Sequence, residues 1–246
     1  MMRMTGKKAL VTGGSRGIGA ATALRLAQEG ADVAITYERA RDKAEAVVGR
    51  IRALGRKAIA LQADNADAEA LKAAVEGAAR ELGGLDILVN NAGIWHYGEV
   101  GGWSLQEIDA ILAVNVRAVI IASQAAAAYL PEGGRIITTG SCLAERVTEP
   151  GIALYAMSKA ALVGFTKGLA RDLGPRGITV NVVHPGSTDT DMNPAAGEQA
   201  EEQRARMAIP RFGTPEDIAG LIAYLASEEG RFVTGAGLTI DGGVNS

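Results

Sequence analysis

The chain has 246 residues with a formal net charge of −3 at pH 7, and 48% of its residues are hydrophobic. This composition fits one globular domain, and without a basic surplus it does not indicate a nucleic-acid or anionic-membrane partner. The apolar runs are too short for a membrane span or a signal peptide, which predicts a cytoplasmic protein. With a single cysteine and two histidines, we expect neither disulfides nor a zinc site.

Short apolar segments rich in Val and Ile alternate with longer amphipathic segments along the whole chain. Strands are predicted over 9–12, 33–36, 58–62, 87–90, 135–139, 179–183 and 238–240. Helices are predicted over roughly 17–29, 40–54, 67–82, 105–130, 153–173 and 215–226. Strands without charged residues are typical of parallel sheets, which are buried on both faces. The alternation predicts an α/β fold: a single domain, residues 1–246, on a Rossmann-type doubly wound parallel sheet of about seven strands with helices on both faces.

Two helix starts carry capping signals, and one segment interrupts the alternation. Ser104 precedes Glu107 by three residues, the spacing of a capping box, and Thr214 precedes a proline and two acidic residues. Residues of about 187–212 contain prolines, small residues and a charged patch at 198–206. We predict a long excursion with a short helix there, which would act as a substrate lid.

The predicted helix at 105–130 is apolar on nearly all sides after Asp109. A helix without a polar face is buried on more than one side. Its second face is covered either by a neighbouring subunit, which we favour, or by other parts of its own chain.

A glycine-rich turn, T12-G-G-S-R-G-I-G19, joins the first predicted strand to the first helix. Gly13, Gly17 and Gly19 allow a tight turn and let a pyrophosphate approach the helix N-terminus, whose free N–H groups and dipole favour anions. The spacing differs from the common G-x-G-x-x-G pattern, but its place between strand and helix is the one that a dinucleotide site requires. A purely structural turn is the alternative.

The end of the second predicted strand indicates which dinucleotide would bind. An acidic residue there binds the ribose 2′-hydroxyl of NAD, whereas a nearby arginine accommodates the 2′-phosphate of NADP. Tyr37 takes the acidic position, and Arg39 and Arg16 supply two cations. These residues favour NADP(H), while Glu38 could serve as a displaced acid and keeps NAD(H) as the less favoured alternative.

Tyr155 and Lys159 are four residues apart in a predicted helix and therefore share one helical face. A phenol loses its proton near pH ~10, and a neighbouring cation favours the phenolate. The pair could therefore donate and accept a proton, with a lowered tyrosine pKa. The same spacing also describes a surface tyrosine beside a solvated lysine.

Several motifs occur in a fixed order along the chain: T12-G-x-x-x-G-x-G19, Asp64, N90-N-A-G93, Asn115, Ser141, Y155-x-x-x-K159 and P185-G186. In order and spacing the chain resembles the short-chain dehydrogenases/reductases, essentially from end to end. Its general pattern is most similar to the branch of 3-oxoacyl-[acyl-carrier-protein] reductases. Each motif alone is weak or moderate, but the combination is specific.

The resemblance implies catalytic roles for four residues. Tyr155 would exchange a proton with the oxygen of the substrate, and Ser141 would hydrogen-bond that oxygen. Lys159 would bind the hydroxyls of the nicotinamide ribose and lower the pKa of Tyr155. Asn115 would anchor a water that links Lys159 to solvent, although from the bare sequence it is a buried amide bonded to backbone.

The resemblance also implies a cofactor site and an assembly. Asp64 and Asn65 would lie near the adenine, and Thr188 and Thr190 would contact the cofactor past P185-G186. The full expected set is Gly13, Ser15, Arg16, Gly17, Ile18, Gly19, Tyr37, Arg39, Asp64, Asn65, Asn91, Ala92, Gly93, Tyr155, Lys159, Pro185, Gly186, Thr188 and Thr190. Family members commonly form homotetramers through the helices near 105–130 and 153–173, so we expect a homotetramer or a homodimer.

The substrate pocket is expected from the residues that follow the N-A-G turn and Ser141. They are Trp95, His96, Tyr97, Cys142 and Leu143, a mixed aromatic and polar set that suits a carbonyl compound with a ring or a chain. His96 could bond a substrate, but an exposed loop histidine is the simpler interpretation, and we interpret Cys142 as packing rather than as a nucleophile. A short segment, D189-T-D-M-N-P-A195, is similar to bacterial members linked to biofilm dispersal and cyclic dinucleotide binding.

The sequence is compatible with three functions. The first is an NADPH-dependent oxidoreductase that reversibly reduces a ketone or other carbonyl compound to a secondary alcohol, with Tyr155 as the general acid and base. The second is an NAD-linked alcohol dehydrogenase on the same site, for which Glu38 is the best support. The third is a nucleotide-binding regulator on the same fold, against which the retained Tyr155 argues.

Overall fold

The computed structural model describes residues 2–246. Its strands are β1 (Lys8–Val11), β2 (Asp32–Tyr37), β3 (Ala58–Gln62), β4 (Ile87–Asn90), β5 (Arg135–Thr139), β6 (Thr179–Pro185) and β7 (Gly237–Ile240). Its α-helices are α1 (Gly17–Gln28), α2 (Arg41–Ala53), α3 (Ala68–Leu82), α4 (Leu105–Leu112), α5 (Ala118–Ala127), α6 (Ala153–Leu173), α7 (Ala200–Ala205) and α8 (Pro215–Ala226). A π-helical turn, Ala113–Arg117, joins α4 to α5.

The strands form one parallel sheet in the order β3-β2-β1-β4-β5-β6-β7. In the centre, Leu10 of β1 lies opposite Ala34 of β2 on one side and Leu88 of β4 on the other. The chain therefore begins in the middle of the sheet and winds outward in both directions, reversing between β1 and β4. Ligands of such sheets bind beyond the carboxyl ends of the strands at this reversal. The predicted doubly wound fold is confirmed.

Alternate strand residues pack against two layers of helices, because successive side chains of a strand point to opposite faces. Ala9 and Val11 of β1 belong to a core shared with α1, α2 and α8. Leu10, between them, belongs to the opposite core, shared with α3, α5 and α6. With both faces covered, the carboxyl edge of the sheet is where polar side chains can meet.

The helix predicted at 105–130 forms one helical stretch, Leu105–Ala127, in which the π-helical turn lies between α4 and α5. By length and composition alone, with a mean hydropathy of 1.7, it is long and apolar enough to cross a membrane, and 39% of its apolar window is buried inside the described chain. Ala118 and Ala122 pack into the core, whereas Leu105 and Ile120 remain exposed. Its own chain therefore does not cover this helix completely.

The end of β6 and the excursion that follows it bear on the cavity. β6 continues past Val183 to Pro185, so that His184 is a fully buried strand residue. Residues 187–212 form the predicted excursion, with α7 as its short helix, and the Ile209 N–H donates to the Gly242 carbonyl oxygen at 2.8 Å. The excursion is thus attached to the C-terminal segment.

The predicted capping box at Ser104 is present, and the predicted cap at Thr214 also forms a capping box. The Glu107 N–H donates to the Ser104 hydroxyl oxygen at 3.2 Å, and the Ser104 N–H donates to the Glu107 carboxylate at 2.8 Å. At α8, the corresponding distances between Thr214 and Asp217 are 3.2 and 2.9 Å. These caps pair N–H groups that helix starts otherwise leave free.

Candidate active site

A cavity of about 720 Å³ opens at the carboxyl edge of the sheet. All of the residues that we expected around a cofactor line it, from the glycine-rich turn to Thr190. Ser141, Trp95, Cys142 and Leu143 line it as well. The structure therefore brings most of the predicted residues together, while their binding roles stay predictions.

The glycine-rich turn forms one wall of this cavity. A Cβ atom on Gly19 would lie 2.4 Å from the Gly13 carbonyl oxygen and 2.5 Å from the side-chain nitrogen of Asn91, so only glycine fits there. α1 begins at Gly17, and the side chain of its N-cap residue, Arg16, makes no capping hydrogen bond. The first N–H groups of α1 are therefore available to an anion such as a pyrophosphate.

Charged side chains surround the end of the cavity beside β2. Arg39 pairs with Glu38 at 2.7 Å, and Asp191 pairs with Lys43 at 3.0 Å and with Arg16 at 3.4 Å. Hydrogen bonds from Lys43 and then from Arg16 lower the pKa of the Asp191 carboxyl. Three cations and two carboxylates therefore meet here, and Lys43 and Asp191 are additions to the predicted set.

Tyr155, Lys159 and Ser141 come together on another wall. α6 places the Lys159 ammonium over the Tyr155 ring, 5.7 Å from its centroid. Lys159 is buried, and its Nζ donates to the Thr139 carbonyl oxygen at 3.0 Å. Ser141 follows β5, and its hydroxyl lies beside Tyr155, where it acts to lower the pKa of the phenol. A proton donor and a second hydroxyl thus face one point of the cavity.

The pKa of Tyr155 is raised rather than lowered in the protein without cofactor. Burial raises the pKa of the Tyr155 phenol to about 12, and the nearby Ser141 hydroxyl offsets only part of that effect. Burial likewise lowers the pKa of Lys159 to about 8. A lowering of the Tyr155 pKa by Lys159 in a site that holds the cofactor stays a prediction.

Asn115 lies in the π-helical turn and is buried. Its Oδ1 accepts from the Ile94 N–H at 2.8 Å, and its Nδ2 donates to the Ile94 carbonyl oxygen at 2.9 Å and to the Ser158 hydroxyl at 3.1 Å. The side chain is therefore the backbone-bonded amide of the alternative interpretation, and it does not line the cavity. It connects the turn after β4 to α6, and a water anchored beside it stays a prediction.

Trp95 and Cys142 line the end of the cavity at which we predicted the substrate from the sequence. The Trp95 and Tyr155 rings are tilted by 55° with centroids 4.5 Å apart, so the indole shields the phenol. Burial raises the pKa of the Cys142 thiol to about 11. A thiol that resists ionisation is a poor nucleophile, which supports our interpretation of Cys142 as packing.

His96 and Tyr97 do not line the cavity, contrary to expectation. The His96 side chain is only 12% exposed and turns toward Glu107, with Nε2 3.5 Å from the carboxylate. Tyr97 packs on Gly151, where a Cβ atom would approach its ring to 2.5 Å. The Gly98 N–H donates to the Gly151 carbonyl oxygen at 2.8 Å, which holds this loop away from the cavity.

Side chains of the excursion reach the substrate end. Arg206, at the end of α7, donates to the Glu149 carboxylate at 2.7 Å, and both residues line the cavity. Gln203 accepts from the Ser187 hydroxyl at 2.6 Å. The charged patch at 198–206 was the one sequence signal for these residues.

Comparisons with known proteins identify the family. The chain matches the family described as enoyl-(acyl carrier protein) reductase over residues 13–245. A solved short chain dehydrogenase from Burkholderia cenocepacia J2315, in complex with NADP, is 65% identical with a TM-score of 0.98, and the match covers 99% of this chain and 100% of that one. The chain belongs to the short-chain dehydrogenase/reductase family.

Relatives within this oxidoreductase family carry different names. The cyclic-di-GMP-binding biofilm dispersal mediator protein of Escherichia coli (strain K12) is 47% identical over 98% of each chain. A 3-oxoacyl-[acyl-carrier-protein] reductase of Staphylococcus aureus (strain Mu50) is 42% identical over 99% of each chain. The resemblance inferred from the sequence is confirmed, whereas membership in the family does not select a substrate.

The residues of this short-chain dehydrogenase/reductase fit a dinucleotide. The Gly13–Gly19 turn leaves backbone N–H groups at a wall that admits no side chain at Gly19. At the other end, the buried Lys159 ammonium has one acceptor among the described residues, the Thr139 carbonyl. An ammonium has three donors, so two remain for the hydroxyls of a ribose.

Proposed function

We propose that the protein is an NADP(H)-dependent reductase that converts a small ketone to a secondary alcohol. The observation that carries this proposal is the meeting of Ser141, Tyr155 and Lys159 on one wall of a cavity that also contains the glycine-rich turn. Bound NADPH supplies the hydride. The chain supplies the proton, the orientation of the carbonyl and a cavity wall that shields the site from water.

The protonation state of Tyr155 suits a reduction. A phenol with its ordinary pKa of ~10 is already protonated at neutral pH, and burial raises the pKa of Tyr155 further, to about 12, so that its proton is available to a carbonyl oxygen. An alcohol dehydrogenase would need the phenolate as its base. Ser141 adds a second hydrogen bond to the same oxygen, and Trp95 covers the phenol, so that a proton leaves Tyr155 toward the substrate.

The cations beside β2 support NADP(H) as the cofactor. Arg16, Arg39 and Lys43 line this end of the cavity, where a 2′-phosphate would extend from the adenosine ribose. Glu38, the support for an NAD-linked enzyme, is paired with Arg39 at 2.7 Å. A phosphate can take over such an exposed cation, since surface ion pairs are weak.

A panel of ketones with NADPH and with NADH tests the proposal, with absorbance of the reduced nicotinamide as the readout. We expect turnover with NADPH, and a loss of about two to four orders of magnitude in kcat for Tyr155→Phe. Lys167→Arg, an exposed change on the same helix, is the matched control. Turnover with NADH alone would favour the second function, and no turnover on any ketone would exclude a ketone reductase.

A regulatory role is the second candidate, and the name of the 47% identical relative from Escherichia coli favours it. The segment 189–195 lies at the cavity, where Thr190, Asp191 and Asn193 are lining residues. Titration calorimetry with cyclic di-GMP, in the presence and absence of NADPH, tests this role. Binding that survives Tyr155→Phe, together with no turnover on any ketone, would replace the enzymatic proposal.

The same proposal includes a lid, an assembly and a location. Residues 187–212 would act as a lid, because Arg206 and Gln203 reach the substrate end from α7. We propose a homotetramer or a homodimer, which the exposed apolar side chains of Leu105, Ile120 and Met157 on α4, α5 and α6 support. The proposed location is the cytoplasm. Light scattering of the purified protein tests the assembly, and a monomer at micromolar concentration would exclude it.

A further inference from the structure

His184 is a fully buried imidazole that touches the backbone of Ser141. It lies in β6, directly before Pro185 and Gly186 at the cavity. Its Nδ1 is 2.9 Å from the Ser141 carbonyl oxygen and 3.3 Å from the Ser141 backbone nitrogen. The histidine therefore connects the strand that leads to the cofactor end of the cavity with the residue that faces Tyr155.

Two glycines make room for this ring. A Cβ atom on Gly140 would lie 2.5 Å from Nδ1 of His184, and a Cβ atom on Gly237 would lie 2.9 Å from Nε2. Neighbouring strands β5 and β7 therefore both leave out a side chain beside the imidazole. Nε2 is buried and has no hydrogen-bond partner among the residues that the structure describes. A buried nitrogen without a hydrogen-bond partner lowers the stability of the fold, and an apolar side chain would fill this space without that loss.

The short distance to a carbonyl oxygen fixes the tautomer. The Ser141 N–H donates toward the same Nδ1 at 3.3 Å, which would suit the other tautomer. The shorter contact decides between them, because two acceptors repel each other at 2.9 Å, and we therefore assign the hydrogen to Nδ1, which donates it to the Ser141 oxygen. Burial lowers the pKa of His184, which keeps the ring neutral. The Ser141 carbonyl also accepts from the Ala144 N–H at 3.0 Å, and the Ser141 hydroxyl accepts from the Leu143 N–H at 3.2 Å. The Ser141 peptide is thus held from two directions.

We propose that His184 is a positioning residue that fixes the Ser141 peptide, and with it the Ser141 hydroxyl, toward Tyr155 and the substrate oxygen. This inference rests on the proposed reductase function. The imidazole takes no part in proton transfer, because its donor is engaged by backbone and the ring is shielded from the cavity.

A double-mutant cycle tests this role, with kcat measured at saturating NADPH on an active ketone. His184→Leu removes the donor and is expected to lower kcat by roughly 10- to 100-fold when Ser141 is present. In a Ser141→Ala background the same change should cost less than about threefold, because the group that it positions is gone. His184→Asn keeps a donor near Nδ1 and should retain kcat within about threefold.

Equal losses of kcat in both backgrounds would overturn the inference, since they would show that His184 only supports the fold. The KM for NADPH should stay within about twofold of wild type in His184→Leu, because the cofactor wall is unchanged. If His184→Leu does not fold, His184→Ala removes the same donor without filling that space and takes its place in the cycle.

Hydrogen exchange separates failure of this inference from failure of the proposed function. In His184→Leu, the Leu143 and Ala144 amides should exchange faster than in wild type, and His184→Asn should restore protection. This readout needs no substrate. Wild type without ketone turnover but with the exchange change would remove the reductase and keep the positioning role, whereas unchanged exchange would remove the positioning role itself.

Discussion

Replacing Lys159 with methionine tests whether the proposed proton-transfer site destabilises the fold. Lys159 is 4% exposed, and burial lowers its pKa from 10.5 to about 8. Between these two values the unfolded chain binds more protons than the folded chain, so the contribution of Lys159 to stability rises with pH. The destabilisation is complete below about pH 8 and is lost above about pH 10.5.

The expected magnitude follows from this pKa shift. A shift from 10.5 to about 8 corresponds to roughly 3 kcal/mol, at about 1.36 kcal/mol per pKa unit. Integrated from pH 7 to pH 10, the change is roughly 2–3 kcal/mol. Methionine keeps an unbranched side chain without the charge. The stability advantage of Lys159→Met over wild type should therefore shrink by roughly 2–3 kcal/mol over this range, because all other titrations are common to both proteins.

Urea unfolding near pH 7 and near pH 10, at one protein concentration and without cofactor, provides the measurement. Lys167→Met is the matched control, since Lys167 lies on the same helix but is exposed. Its difference from wild type should not depend on pH. A Lys159→Met difference that stays constant from pH 7 to pH 10 would refute the argument that burial of the ammonium dominates at this position.

Three further changes have defined outcomes. Asp191→Asn removes the carboxylate that pairs with two cations of the cavity, Lys43 and Arg16. In fluorescence titrations NADPH should therefore bind roughly two- to fivefold more tightly, while the affinity for NADH stays constant. Equal changes in both affinities would contradict this. Gly19→Ala places a Cβ atom 2.4 Å from a backbone carbonyl oxygen. The variant should show no NADPH binding in calorimetry but keep a native circular dichroism spectrum. Unchanged affinity for NADPH would show that the turn adapts to the side chain. Burial acts to raise the pKa of Glu29, but hydrogen bonds from Arg3 and Arg25 lower it overall. Glu29→Gln should therefore lower the free energy of unfolding by about 1–3 kcal/mol at neutral pH, as measured by urea unfolding. This loss should decrease as the pH falls below the ordinary carboxyl pKa of 4.5. A loss that does not change with pH would exclude the ion pairs as its cause.

The sequence predicted the fold well because the signals involved are local. Valine- and isoleucine-rich runs between amphipathic helices indicate buried parallel strands whatever the tertiary details. The capping residues Ser104 and Thr214 likewise act within four residues of a helix start. The glycine-rich turn was found because Gly19 has no room for a side chain, and that constraint is visible in the residue type itself.

The parts that the sequence did not predict depend on contacts between distant segments. His96 and Tyr97 follow the N-A-G turn, but the direction of their loop is set by Gly151 and Glu107. Lys43 lies close to Arg39 in the sequence, whereas its pairing with Asp191 depends on the path of the excursion. The raised pKa of Tyr155 was not predicted for the same reason, because a shared helical face reveals the neighbours of a side chain but not its loss of hydration.

Buried polar groups with incomplete partners concentrate at this carboxyl edge of the sheet. Lys159 has one protein acceptor, and His184 keeps an unpaired ring nitrogen among the described residues. Each of these two costs stability that an apolar side chain would not, whereas burial of Tyr155 raises the pKa of a phenol that is neutral at pH 7 in any case. Under the proposed function, the same features leave donors for a ribose, hold Ser141 in place and keep a proton ready for a carbonyl. Lys159→Met should therefore gain stability at neutral pH and lose turnover, so the two measurements must move in opposite directions if this account of the site is correct.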